Sequence, residues 1–356
     1  LKTAQTNIMP TYQDRFNAVV TFGKTLKAFV KAKEEKMHNI PYFDQWEKLI
    51  ALAGHKNGWF TEENIWFATA QWANELSAEN LQNWVASYPS PTKKPIVLLI
   101  MAGNIPLVGF HDFLTAYLAD AKILIKLASN DQVLLPWILN FLQEQTQEDP
   151  DHVKVLEKIN APYDALIATG SDNTARYFEH YFGHKPHIIR KNRNSVAVIT
   201  GKESPEVLQK LGEDVFRYFG LGCRSVSKIY VPEGYDFDLL FKALYGYKDL
   251  IEYEKYSNNY DYNKAVYLMS MFKILDNGFL IIKEDSGLTS PIGSLHFEYY
   301  TSLKSLEKEL TAKSDLLQCI VGPSGFLNGI AFGTTQKPSL TDYADGVDTM
   351  NFILSL

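Results

Sequence analysis

Between residues 95 and 182, short unbroken apolar runs alternate with longer amphipathic ones, and no other feature restricts the possible folds so much. Pro95-Ile-Val-Leu-Leu-Ile-Met101 is continuous and bounded by Pro and Gly, which suits a strand buried on both faces. A helix is predicted at about 107–119, a strand over 122–127 and a helix at about 131–145. A strand over 164–168 then leads into a helix from Ser171 to Phe182. Crossovers between parallel strands are nearly always right-handed, so the expected product is a doubly wound parallel sheet.

On either side of this block the pattern changes. Residues 11–88 read as helical, with Thr61 and Ser77 as N-caps whose hydroxyls accept free first-turn N–H groups. After Asn194 a strand is expected over 195–200, and Ser204-Pro205-Glu206 then opens a helix with a cap, a first-turn Pro and an acid. Strands over 226–231, 279–283 and 316–321, with helices near 236–245 and 257–273, make a second α/β domain. The expected divisions are 1–194 (helices and a dinucleotide-binding domain), 195–325 (a catalytic domain) and 326–356, a terminal segment returning to the domain interface. A chain of 356 residues is long for one core, which agrees with two domains.

Composition narrows the function. A formal net charge of -6 leaves no excess of Lys and Arg to neutralise phosphates, so nucleic acid is not an expected partner. No apolar run is long enough for a transmembrane helix. Two cysteines imply no disulfide framework, and a soluble protein of the reducing cytoplasm is expected.

The chemistry concentrates at Phe219-Gly-Leu-Gly-Cys223-Arg-Ser225. Two glycines before a cysteine permit a sharp turn and close approach of a substrate, and the adjacent Arg224 favours a thiolate nucleophile. The competing reading is a cysteine that only fills the core; Cys319, set among aliphatics, fits that description. Three strand ends add to the pattern. Asn104, beyond the first buried strand, offers an amide to a developing oxyanion, or simply makes an Asn-X-Pro turn. Lys126 stands where a ribose or phosphate would lie, or is a solvated lysine. Thr169-Gly170-Ser171 passes from strand to helix, an arrangement suited to a pyrophosphate or merely to an N-cap. His180, His184 and His187 share no continuous helix across Gly183 and Pro186, and no metal site is assigned.

Taken in order, these segments resemble the Asn-Pro, Lys-Pro-Ser/Ala-Glu, Thr-Gly-Ser and Gly-Gln-x-Cys motifs of the aldehyde dehydrogenase superfamily. Within it the likeness is to the acyl-CoA reductase branch, to which Phe332-Gly-Thr-Thr-Gln336 and the segment Thr341–Asp348 are also similar. The resemblance spans about residues 94–348. It implies a Rossmann-type cofactor domain beside a second α/β catalytic domain. It makes Cys223 the nucleophile and Asn104, with the Cys223 backbone N–H, the oxyanion hole. Lys126 and Ser129 are then expected at the adenosine ribose, and Thr169, Gly170 and Ser171 on the pyrophosphate side. A homo-oligomer is a further implication. Two motifs depart from the family's pattern: Gly-Gln before the cysteine is Leu221-Gly222, and Glu284–Pro291 matches Glu-Phe-Gly-Pro too loosely for Glu284 to be assigned.

The departures suggest a direction for the reaction. Residues 183–202 hold no Asp or Glu, so the general base with which oxidising relatives activate water is missing there. An acyl-cysteine that resists water survives to accept hydride. The expected reaction is reduction of a long-chain acyl-CoA or acyl-carrier thioester to its aldehyde. Ser129 replaces the acid that would repel a 2′-phosphate, which favours NADPH, with NAD(H) the alternative. A cysteine acyltransferase or thioesterase, or a non-catalytic binding protein on this fold, are the competing expectations.

Overall fold

The computed structural model describes residues 11–147 and 149–356. The described residues form two compact units, one ending at Lys191 and completed by 339–356, and one of 192–338. Residues 326–338, expected in the terminal segment, pack with the second unit.

The first unit opens with four helices, α1 (Tyr12–Glu35), α2 (Phe43–Lys56), α3 (Glu62–Glu75) and α4 (Ala78–Val85). Thr61 and Ser77 cap α3 and α4 by accepting from the Asn64 and Asn80 N–H groups. There follow β1 (Ile96–Ile100), α5 (Phe110–Leu118), β2 (Lys122–Lys126), α6 (Leu134–Thr146), β3 (Val153–Val155), β4 (Ala165–Thr169), α7 (Asp172–Phe182) and β5 (His187–Arg190). The strands lie in the order β3-β2-β1-β4-β5, all parallel. Val97, Leu99, Ile123, Ile125 and Ile167 face the helical core around Phe22, Trp46 and Phe113. Leu98, Ile100, Leu124, Leu166 and Ala168 pack with Phe178 of α7 on the opposite face. Burial on both faces is why these strands read as unbroken apolar runs.

The second unit contains β6 (Asn194–Val198), α8 (Pro205–Phe216), β7 (Val226–Pro232), α9 (Phe237–Leu244), α10 (Glu254–Met269), β8 (Ile274–Asp276), β9 (Ile281–Glu284), β10 (Ser294–Tyr300), α11 (Leu303–Ala312) and β11 (Leu317–Val321). Its sheet runs β11-β6-β7-β10-β9-β8, parallel except for β8 at the edge. The helix expected to reach residue 273 stops at Met269. Met271 takes a left-handed conformation (φ 56°), and the Phe272 N–H returns to the Tyr267 carbonyl at 3.0 Å, closing the helix without a glycine.

A last helix, α12 (Thr349–Leu354), belongs to the first unit. Tyr343 beside it accepts from Trp84 Nε1 at 2.7 Å and shares a hydrogen bond with Tyr88 Oη at 2.8 Å. Among the described residues, no helix is long and apolar enough to cross a membrane.

Candidate active site

In the first unit the candidate residues gather at the carboxyl edge of the sheet. Ile100 pairs with both Lys126 and Ala168, so three neighbouring strands end at nearly one level. The chain leaves β1 for β2 on one side and later returns to β4 on the other. The crevice at such a reversal is where open α/β sheets take ligands. Asn104 is exposed in the loop after β1.

That loop is built around Gly103. Its carbonyl accepts from the buried Asn57 Nδ2 at 3.0 Å and from Asn130 Nδ2 at 3.1 Å. A Cβ on Gly103 would lie 2.6 Å from Asn130 Oδ1 and 2.8 Å from the Ala128 Cβ. The loops after β1 and β2 therefore lock together only around a bare α-carbon. Sequence reasoning did not find Asn57 or Asn130, whose roles depend on a carbonyl distant in the chain.

Lys126, half-buried, turns its Nζ to the Leu127 carbonyl at 3.2 Å, while Ser129 is exposed. Beside the same loop burial pushes the Asp131 carboxyl up to about 7. At the end of β4, Ser171 is the N-cap of α7 and its Oγ accepts from the Thr174 N–H at 3.3 Å. Its hydroxyl thus caps the helix, as one reading of the sequence expected, and the Gly170 turn leads directly into that helix start.

The basic stretch 185–193 includes a residue with a different role. Arg190, in this stretch, is buried. It is ion-paired with Asp112 of α5 and donates through Nη2 to Thr349 Oγ1 at 3.0 Å. Among the described residues no group of three His, Cys, Asp or Glu side chains is placed to hold a metal ion.

In the second unit Cys223 is exposed and Cys319 is buried. Between α8 and β7 the chain makes a strained turn, with Tyr218 (φ 56°), Phe219 (φ 57°) and Gly220 (φ 76°) all left-handed. Each non-glycine residue there costs about 1–2 kcal/mol. Burial of both aromatic rings offsets that cost, and Phe219 stacks on Tyr253 with 4.9 Å between ring centres. The Ser225 N–H then bonds to the Gly222 carbonyl at 2.9 Å, so Cys223 lies inside a tight turn.

Its main chain is anchored as well: the Cys223 carbonyl accepts from the buried Ser195 Oγ at 3.0 Å. Arg224 Nε donates to the Thr335 carbonyl at 2.5 Å, and Gln336 Nε2 donates to Ser225 Oγ at 3.2 Å. Glu203, the first acid after the carboxylate-free stretch, accepts from the Thr200 N–H and Oγ1 and from the Gly201 N–H. Glu284, at the end of β9, is exposed.

Two α/β units of this kind define the aldehyde dehydrogenase fold. Aldehyde dehydrogenase 21 of Physcomitrella patens superposes with a TM-score of 0.69 at 12% identity, covering 98% of this chain and 84% of that one. An acetylating aldehyde dehydrogenase from Geobacillus thermoglucosidasius gives 0.64 at 11% identity, covering 96% and 90%. More narrowly, the chain resembles the acyl-CoA reductases: the model of the acyl-CoA reductase (LuxC) family matches residues 75–244, a stretch holding every candidate residue from Asn104 to Cys223. The long-chain acyl-protein thioester reductase 2 of Photobacterium leiognathi is 24% identical over 250 residues, covering 62% of this chain and 51% of that protein. The chain thus spans about half the length of that curated relative. The likeness read from the motifs, to aldehyde dehydrogenases and their acyl-CoA reductase branch, is borne out.

Proposed function

We propose that this chain reduces an acyl thioester to an aldehyde through an acyl group held on Cys223. The observation that carries the reading is an exposed cysteine in a strained, anchored turn, within the stretch that matches acyl-CoA reductases. The Cys223 thiolate attacks the thioester carbonyl, and collapse of the adduct expels the donor thiol, leaving the acyl group on sulfur. The resemblance assigns Asn104 and the Cys223 N–H to the oxyanion, donors that act only when held in place. A bound nicotinamide dinucleotide would supply the hydride. After reduction, the Cys223 sulfur departs as thiolate and the aldehyde is released.

The carboxyl edge of the first sheet fits such a dinucleotide. The α7 start presents N–H groups, and the half-buried Lys126 at the end of β2 adds a cation. The exposed Ser129 and the lack of an acid at its position favour NADPH. Slow hydrolysis of the acyl-cysteine agrees with the carboxylate-free 183–202 stretch and with Glu203 being engaged in its own turn.

Intact-mass measurement tests the reading. Given a long-chain acyl-CoA, the protein is expected to gain one acyl mass, lost only on adding NADPH with release of aldehyde. Cys223→Ala is expected to show neither. An adduct that water discharges without nicotinamide points instead to a thioesterase, and absence of any adduct to a binding protein.

A further inference from the structure

Asp214 is fully buried in the last turn of α8. A carboxylate at that place is opposed twice, by loss of solvent and by the negative end of the helix dipole. Burial does raise its proton affinity, and two backbone N–H groups act against that: Gly333 at 2.6 Å and Thr335 at 3.0 Å. Both belong to Phe332–Gln336, a strap lying directly on α8. A Cβ on Gly333 (φ +83°) would come within 3.0 Å of the Lys210 Cβ and 3.3 Å of its carbonyl.

The other side of the strap holds the nucleophile turn. The Thr335 carbonyl accepts from Arg224 Nε, and Gln336 donates to Ser225 Oγ. The two residues after Cys223 are thus tied to the strap, and the strap is tied to one buried carboxylate. Upstream of Cys223 the chain is in a left-handed, sterically costly conformation that needs such restraint.

We infer that Asp214 is a positioning residue for Cys223, acting through the Phe332–Gln336 strap to fix the main chain of the nucleophile turn. This rests on the acyl-transfer role proposed for Cys223. An interaction that only fills space would be replaceable by an isosteric amide. Here it is not, because Asn offers one acceptor oxygen where Asp214 uses two, each on a different N–H. Loosening the strap displaces the Cys223 N–H from the carbonyl oxygen that it must meet during acyl transfer. It leaves the sulfur exposed and chemically competent.

Two rates on the full chain separate these effects. Acylation of Cys223 by a long-chain acyl-CoA needs an oriented oxyanion donor, whereas alkylation by iodoacetamide is a displacement at saturated carbon that needs none. In Asp214→Asn, acylation is expected to fall about tenfold or more, because small misplacements carry losses of that order. Alkylation is expected to stay within about twofold, since the sulfur remains accessible. Gln336→Ala, which removes only the contact to Ser225, is expected to lower acylation by a smaller factor and serves if Asp214→Asn fails to fold. Gly333→Ala, which lifts the strap from α8, is expected to reproduce the Asp214→Asn ratio.

Equal acylation rates in wild type, Asp214→Asn and Gln336→Ala overturn the inference while the acyl-transfer reading stands. Parallel loss of acylation and alkylation in all variants also overturns it, showing a merely structural role. A wild-type chain that is alkylated at Cys223 but never acylated overturns the acyl-transfer reading, and this inference with it.

Discussion

Asp131 shows how a single largely desolvated group can set a pH response at the carboxyl edge of the first sheet. Burial lifts its carboxyl to about 7, so the fold prefers it protonated. Its contribution to stability is complete below about pH 4, the ordinary carboxylate range, and is lost as pH rises through about 7. The thermal midpoint of the first unit is therefore expected to fall between about pH 4 and 7, and Asp131→Asn to flatten that slope. An unchanged slope would remove Asp131 from the account. Arg190 behaves oppositely, because its charge is needed: Arg190→Ala strands Asp112 in the core and is expected to cost about 3–5 kcal/mol, read by denaturant unfolding. Single residues were legible from sequence where their partners are local. The Thr61, Ser77 and Ser204 caps each accept from an N–H three residues on. Arg190 and Asn57 were not, because Asp112 and Gly103 approach them only after the sheet has formed.

At the scale of elements, the two loops that carry the candidate chemistry depend on glycine for different reasons. At Gly220 a Cβ would find its nearest neighbour, the Val215 carbonyl, at 3.5 Å, so space is available and only the left-handed backbone resists substitution. Gly220→Ala is expected to cost about 1–2 kcal/mol, measured as a shift in unfolding, with the protein still folded. At Gly103 space itself is missing, because Asn130, Ala128 and Asp131 would all stand within 2.9 Å of an added Cβ. Gly103→Ala is accordingly expected to separate the loops after β1 and β2 and to weaken NADPH binding, read by titration of nucleotide fluorescence. Retained affinity would show that the joined loops are not the nucleotide's seat. The strands β1, β2 and β4 were legible because burial on both faces makes them uniformly apolar. β10 was missed for the converse reason. Leu295 and Phe297 enter one core while His296 and Glu298 turn to the other face, where Glu298 pairs with the buried Lys228, so no apolar run marks the strand.

At the scale of the whole molecule, the two units differ in how the chain encloses them. The second is one continuous stretch, 192–338, whereas the first is completed only by 339–356. That terminal segment is tied in by polar contacts with buried and half-buried partners. Trp84 Nε1 donates to Tyr343 Oη, Tyr88 Oη donates to Asp348 at 2.9 Å, His111 meets the Leu340 carbonyl at 2.9 Å, and Arg190 donates to Thr349. Met350 and Ile353 of α12 add apolar burial in the same core. None of this was readable from the motifs, which lie in order along the chain but say nothing about which core the end of the chain joins. Ending the chain at Pro338 removes these partners at once, leaving the buried indole of Trp84, the His111 ring and the Arg190 guanidinium each without one of their acceptors. Unsatisfied buried groups cost about 1–3 kcal/mol apiece, so the sum is comparable to the stability of an ordinary domain. Calorimetry of the shortened chain is expected to lose or sharply lower the transition of the first unit. The transition of the second, which contains Cys223, Asp214 and the strap entire, is expected to persist near its original temperature. Equal lowering of both transitions would mean that the units do not unfold as separate bodies.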